Sequence, residues 1–141
     1  MPGYSGTPLA KKLGIAKSTQ AVLIGPPSEY PSLLGTVPVG AKFAAALSRN
    51  TNFVHLFVTQ REELAALLAK LRRKVRDDAV VWVSWPKKAS KVSTTVTEDV
   101  IRELALPLGF VDIKVCAVSD VWSGLKLVVR KELRETSSGK R

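Results

Sequence analysis

Cysteine and histidine are nearly missing from this chain: each occurs once in 141 residues, as Cys116 and His55. A single thiol excludes an internal disulfide, and one thiol with one imidazole excludes the multi-cysteine and Cys/His metal patterns. The same scarcity leaves no familiar nucleophile–base pair that spacing alone would reveal. Cys116 lies between Val115 and Ala117 in a strand-like run, the setting of an inert buried thiol. His55 lies inside an apolar strand pattern, where a histidine is more often a core or strand-face residue than a base. Long apolar runs are also missing, and none approaches the roughly 20 residues that span a bilayer. The N-terminus, MPGYSGTPLAKKLG, lacks the apolar region of a secretory signal. A cytoplasmic protein outside the membrane is the expectation.

Acidic residues are scarce as well. Lysine and arginine outnumber them 22 to 12, for a net charge of +10. Such an excess attracts nucleic acid and other anionic surfaces without specifying any of them. Much of it falls in Lys70, Arg72, Arg73, Lys74 and Arg76, and in the tail from Arg130 to Arg141. The first group spreads around the polar face of a helix. A solvated face is therefore the preferred reading, with sequence-independent nucleic-acid binding through this helix and the tail as an alternative.

What remains is ordinary globular composition, 45% hydrophobic and 24% charged, in a length suited to one core. The expected organisation is a single domain over residues 1–133 and a disordered basic tail over 134–141. Thr7 and Pro8 suit a helix start and Gly14 its end, giving a short helix with Leu9 and Leu13 on one face. AVLIG (21–25) reads as a buried strand entering a turn-rich loop, with a short helical turn within 28–34 limited by Pro31. Strands are expected over 41–47 and, more firmly, 52–58. Thr59 with Glu62 forms a capping-box pattern before Leu64, Leu67, Leu68, Leu71 and Val75, an apolar stripe at helical spacing. AVVWVSW (79–85) is a further strand. Thr95 with Glu98 repeats the capping box before a helix with Val100, Ile101, Leu104 and Leu108 inward, closed by Pro107 and Gly109. Strands over 110–118 and 125–131, separated by SDVWSG, form an antiparallel hairpin.

Two strand–helix–strand units in series make an α/β fold with a mostly parallel sheet between helices. The join between Leu47 and Phe53 is too short for an ordinary crossover. The strand over 41–47 is therefore either antiparallel or followed by an extended crossing without a helix.

Ligands of open α/β sheets bind beyond the carboxyl ends of the strands. The segments expected there are 25–30, 59–61, 85–90 and 119–124. Their convergence makes Gly25, Tyr30, Trp85, Lys87, Lys88, Ser90 and Trp122 the candidate ligand-binding residues, with Trp85 and Trp122 as neighbours. Two lysines, the Ser90 hydroxyl and the N-terminus of the following helix suit a small anion such as a phosphate or carboxylate. The same edge suits a protein partner or a homodimer. Glu29 and Asp120 are weak candidates for acid–base work. No cofactor is expected. Gly25 is followed by two prolines instead of a second glycine, and Leu47-Ser48-Arg49 offers no acidic residue for a ribose.

Four segments, GYSGTPLAKKLGI, WPKKAS, TEDVIRELALPLGFVDIKVCAV and WSGLKLVVRK, resemble a family of small bacterial proteins, a domain of unknown function. More distantly, the order of elements from Asn52 onward is similar to the C-terminal half of class I methyltransferases. That likeness implies a three-layer, Rossmann-like, methyltransferase-like sheet ending in an antiparallel hairpin. A divergent adenosyl-methionine-dependent methyltransferase is a third functional reading. The preferred one is a non-catalytic domain binding a small anionic ligand or a protein partner.

Overall fold

The computed structural model describes residues 7–134. Among them are six strands: β1 (Gln20–Ile24), β2 (Lys42–Ala44), β3 (Phe53–Phe57), β4 (Val80–Pro86), β5 (Phe110–Ala117) and β6 (Trp122–Val129). They form one sheet in the order β2-β1-β3-β4-β6-β5. The first four run parallel, while β6 inserts antiparallel between β4 and β5. Four helices flank the sheet: α1 (Leu9–Leu13), α2 (Tyr30–Leu34), α3 (Arg61–Lys74) and α4 (Glu98–Ala105). The expected α/β sheet with a terminal hairpin is the one observed. The tail expected to be disordered lies outside the described residues, except for Arg134.

Period-two alternation splits the core into two layers. Val54 and Leu56 of β3, with Val81, Val83 and Trp85 of β4, face Leu64, Leu68, Leu71 and Ile101 of α3 and α4. Phe53, Phe57 and Trp82 face the other way, onto Leu9, Leu13, Tyr30 and Leu34 of α1 and α2. The buried Trp82 indole donates its Nε1–H to the Leu13 carbonyl at 2.9 Å, which ties the end of α1 to the sheet. Gly124 of β6 makes room for this ring. A Cβ there would lie 3.3 Å from the indole and 3.1 Å from Val118.

β2 is parallel to β1, pairing Phe43 with Ala21, and residues 45–52 return to β3 without a helix. Of the two alternatives at this join, the extended crossing is realised. It is feasible because β2 is only three residues long, so the chain has little height to recover.

Three helix starts differ from their sequence reading. Pro8, not Thr7, holds the cap position of α1, and its carbonyl accepts from Lys11 N and Lys12 N. α3 begins after Gln60, one residue later than the Thr59 pattern implies. Its first amide, Arg61 N–H, donates to Thr95 Oγ1 at 2.7 Å. Thr95 therefore caps α3 instead of its own helix. α4 is capped by Thr97, whose hydroxyl accepts from Val100 N. The cause is tertiary: Thr95 N and the Thr94 hydroxyl both donate to the Thr59 carbonyl, which joins the two loops.

Candidate ligand-binding rim

The carboxyl ends of β1, β3 and β4 share an edge with the β5–β6 turn. That turn is tighter than the sequence implies. Val118 N and Ser119 N both donate to the Trp122 carbonyl, and Ser119 Oγ accepts from Val121 N and Trp122 N. The serine closes the turn early, so Trp122, Ser123 and Gly124 belong to β6 and not to a loop.

WPKKAS and SDVWSG do meet. Trp85 pairs with Ser123, Pro86 pairs with Trp122, and Lys87 N–H donates to the Val121 carbonyl at 2.7 Å. The two indoles do not. A register offset by one residue sends them to opposite faces of the sheet. Trp85 packs into the α3–α4 layer, whereas Trp122 lies edge-on to Phe57 in the other, with centroids 5.1 Å apart.

Behind β4 the chain makes a 3₁₀ turn over Lys88–Ser90. The Ser90 hydroxyl donates to the Lys87 carbonyl at 2.7 Å and accepts from Val92 N, so it closes the turn instead of facing a ligand. The N-terminus of α4 is also engaged. Glu98 and Asp99 occupy its first turn, and Arg102 binds both carboxylates as well as Asp112. The cationic part of the rim thus reduces to Lys87, Lys88 and Lys91. Lys91 adopts φ 62°, the one positive value at a non-glycine position among the described residues. None of the three makes a side-chain ion pair among the described residues. Asp120 is exposed in the adjacent turn, and Glu29 is exposed beside α2.

Tyr30 turns away from the rim into the core, whereas Gly25 stays exposed at the carboxyl end of β1. Gly25 has φ 67°, and a Cβ there would meet the Phe57 carbonyl at 3.1 Å. Turn and neighbouring strand require the glycine. Tyr30 points inward from α2, with its hydroxyl 2.8 Å from His55 Nδ1, and His55 Nε2 lies 2.7 Å from Ser84 Oγ. All three side chains are buried. A neutral imidazole donates to one hydroxyl and accepts from the other, so the chain of contacts is satisfied internally. Burial pushes the His55 pKa down to about 3 and raises that of the Tyr30 phenol. This phenol–imidazole–hydroxyl brace was not legible in the sequence beyond the oddity of a histidine between two phenylalanines in register. It resembles a nucleophile–base arrangement in composition only, because solvent and substrate have no access to it. Cys116 is half-buried on β5, with its pKa raised by burial and opposed by Lys12 and Lys114.

The basic helix divides into two sets. Arg72 pairs with Asp77 and also donates to the Leu108 carbonyl, and Arg76 makes two contacts with Asp78. Arg73 donates to the Ala69 carbonyl. Lys70 and Lys74 instead line a cleft of about 570 Å³ along β1, on the α3 side.

This fold places the protein in a class: it is the methyltransferase-like α/β architecture. A SAM-dependent methyltransferase from Aquifex aeolicus has a TM-score of 0.60 at 14% identity, over 86% of this chain and 87% of that one. The Methanococcus jannaschii fibrillarin pre-rRNA processing protein gives 0.57 at 9% identity, over 86% and 73%. Aeropyrum pernix fibrillarin, solved with natively bound S-adenosyl-L-methionine, gives 0.55 at 12% identity, over 85% and 73%. Identities this low establish the fold alone. In sequence, residues 51–131 match the family described as protein of unknown function (DUF3052), and the chain belongs to that family. The match runs from β3 through β6 and contains WPKKAS and WSGLKLVVRK. No curated protein matches the chain in sequence.

The residues at the methyl-donor position do not fit that cofactor. Gly25 is fixed by its turn and by Phe57, and Pro26 and Pro27 after it carry no N–H to offer a ligand. β2 ends at Ala44 and continues as Ala45-Ala46-Leu47, with no carboxylate to hold a ribose. Among the described residues no group of three or more His, Cys, Asp or Glu could hold a metal, and no helix is long and apolar enough to cross a membrane.

Proposed function

We propose that this protein is a non-catalytic binding domain that takes a small anionic ligand at the rim from Trp85 to Lys91. One observation carries the reading. Lys87, Lys88 and Lys91 project from a single turn pinned by the Lys87–Val121 and Ser90–Lys87 hydrogen bonds, and no acidic side chain answers them among the described residues. Cations without ion-pair partners at the carboxyl edge of an α/β sheet favour a phosphate or carboxylate. Pinning lowers the ordering cost of binding. Trp85 and Trp122 pack beneath this rim on opposite faces of the sheet. Nucleic-acid binding through α3 is less well supported, since Arg72 and Arg76 are held by Asp77 and Asp78.

Thermal unfolding in the presence of inorganic phosphate, nucleotides and thioester carriers tests the proposal. At least one of these anions raises the midpoint of the wild-type protein. The Lys87→Ala/Lys88→Ala variant loses that rise, with affinity falling about tenfold or more, the equivalent of about 1.4 kcal/mol. No rise with any of them, or an equal rise in the variant, overturns it.

A further inference from the structure

The crossing from β2 to β3 leaves part of the sheet without a helix. A parallel connection usually carries one, and parallel sheets are ordinarily covered on both faces. Here residues 45–52 cross on the α3 side as irregular chain. The cleft of about 570 Å³ occupies the space beside them. Its floor is β1 from Val22 to Gly25, and its walls are Ala46 and Leu47 on one side and Leu67, Lys70 and Lys74 on the other. The side chains named for floor and walls are apolar up to the two lysines, although Leu23 packs into the opposite layer.

Leu67, Lys70 and Lys74 fall at i, i+3 and i+7, so they form one stripe along α3. Both lysines are exposed and make no ion pair or hydrogen bond among the described residues. Their neighbours differ: Arg72 and Arg76, on the same helix or just after it, each hold an aspartate. Among the described residues the two lysines beside the cleft have no acidic partner, and neither does Arg73, which donates to the Ala69 carbonyl.

We propose that this cleft docks an amphipathic helix of a partner protein, with an apolar face on β1 and acidic residues along the flank facing Lys70 and Lys74. The dimensions agree. Four floor residues extend about 13 Å, and the i to i+7 anchors of a helix in a groove span about 10.5 Å. A second copy of this chain is a poor occupant, because its net charge of +10 opposes two like cations at the contact. The site lies on the sheet face and is separate from the lysine rim, so neither reading depends on the other.

The probe is a fluorescein-labelled synthetic helix with leucines at i, i+3, i+4 and i+7 and a glutamate flank. It is compared with a lysine-flanked twin and a scrambled peptide of the same charge, by anisotropy on the full chain. The glutamate helix binds at least tenfold tighter than either control. Lys70→Glu/Lys74→Glu inverts the preference toward the lysine-flanked twin. Ala46→Trp, which fills the cleft at an exposed position without changing charge, abolishes binding, whereas Lys87→Ala/Lys88→Ala leaves it unchanged. Equal binding of the scrambled peptide, or full binding by Ala46→Trp, reduces the effect to general attraction to a basic chain and overturns the proposal. A dimer in sedimentation velocity that Lys70→Glu/Lys74→Glu dissociates assigns the cleft to a second copy and also overturns it.

Discussion

Mild acid should weaken this protein through His55. The imidazole is fully buried between Tyr30 and Ser84, and burial holds its pKa at about 3, against about 6.5 for an exposed histidine. The folded state therefore refuses a proton that the unfolded chain accepts. Stability is unaffected well above pH 6.5, falls as the pH drops through that value, and stops falling only near pH 3. The slope approaches about 1.4 kcal/mol per pH unit, and the whole window amounts to about 5 kcal/mol. That is a large share of the roughly 5–15 kcal/mol that holds a typical domain together. By pH 5 the loss is about 2 kcal/mol. The comparison is made against His55→Gln, which removes the imidazole and leaves every other ionisable group in place. Urea unfolding is followed by tryptophan fluorescence from pH 7 to pH 4. The wild-type advantage over His55→Gln should shrink by about 2 kcal/mol between pH 7 and pH 5. Parallel stability profiles for the two proteins would refute a buried neutral imidazole.

Three further outcomes follow from the packing. Tyr30→Phe strips His55 Nδ1 of its partner in a buried site and should cost about 1–3 kcal/mol in urea unfolding, with the fold retained in circular dichroism. Gly124→Ala drives a methyl group to 3.1 Å from Val118 and 3.3 Å from Trp82, and overpacking of that kind lowers stability by about 1–3 kcal/mol, read in the thermal midpoint. Thr95→Val keeps its shape but removes the acceptor for Arg61 N–H, so the first amides of α3 should exchange faster with deuterium and stability should drop by about 1 kcal/mol.

The sheet was legible because its strands and long helices obey local rules. The Leu64, Leu68, Leu71 stripe and the apolar runs of β3 and β4 state their burial by spacing alone. The meeting of WPKKAS with the β5–β6 turn also followed from strand direction. What escaped was set by partners distant in the chain. Thr95 has the right neighbours to cap its own helix, yet its hydroxyl serves Arg61, thirty-four positions earlier. The indoles of Trp85 and Trp122 share a rim but not a face, because register is a property of two strands and neither one alone encodes it. Tyr30 read as a rim residue since its loop leaves β1 at the ligand edge. Only the short α2 turns its ring under the sheet to His55. The cleft beside Lys70 and Lys74 was invisible for a related reason: it lies where residues 45–52 cross to β3 without forming a helix.

Isothermal titration calorimetry with S-adenosyl-L-methionine tests most directly whether this methyltransferase-like sheet lacks the methyl donor's site. Gly25-Pro26-Pro27 and the Ala44–Leu47 stretch predict no saturable heat at protein concentrations where a cofactor-dependent enzyme would be filled. A one-site isotherm would contradict that, and would return the protein to the methyltransferases whose fold it shares.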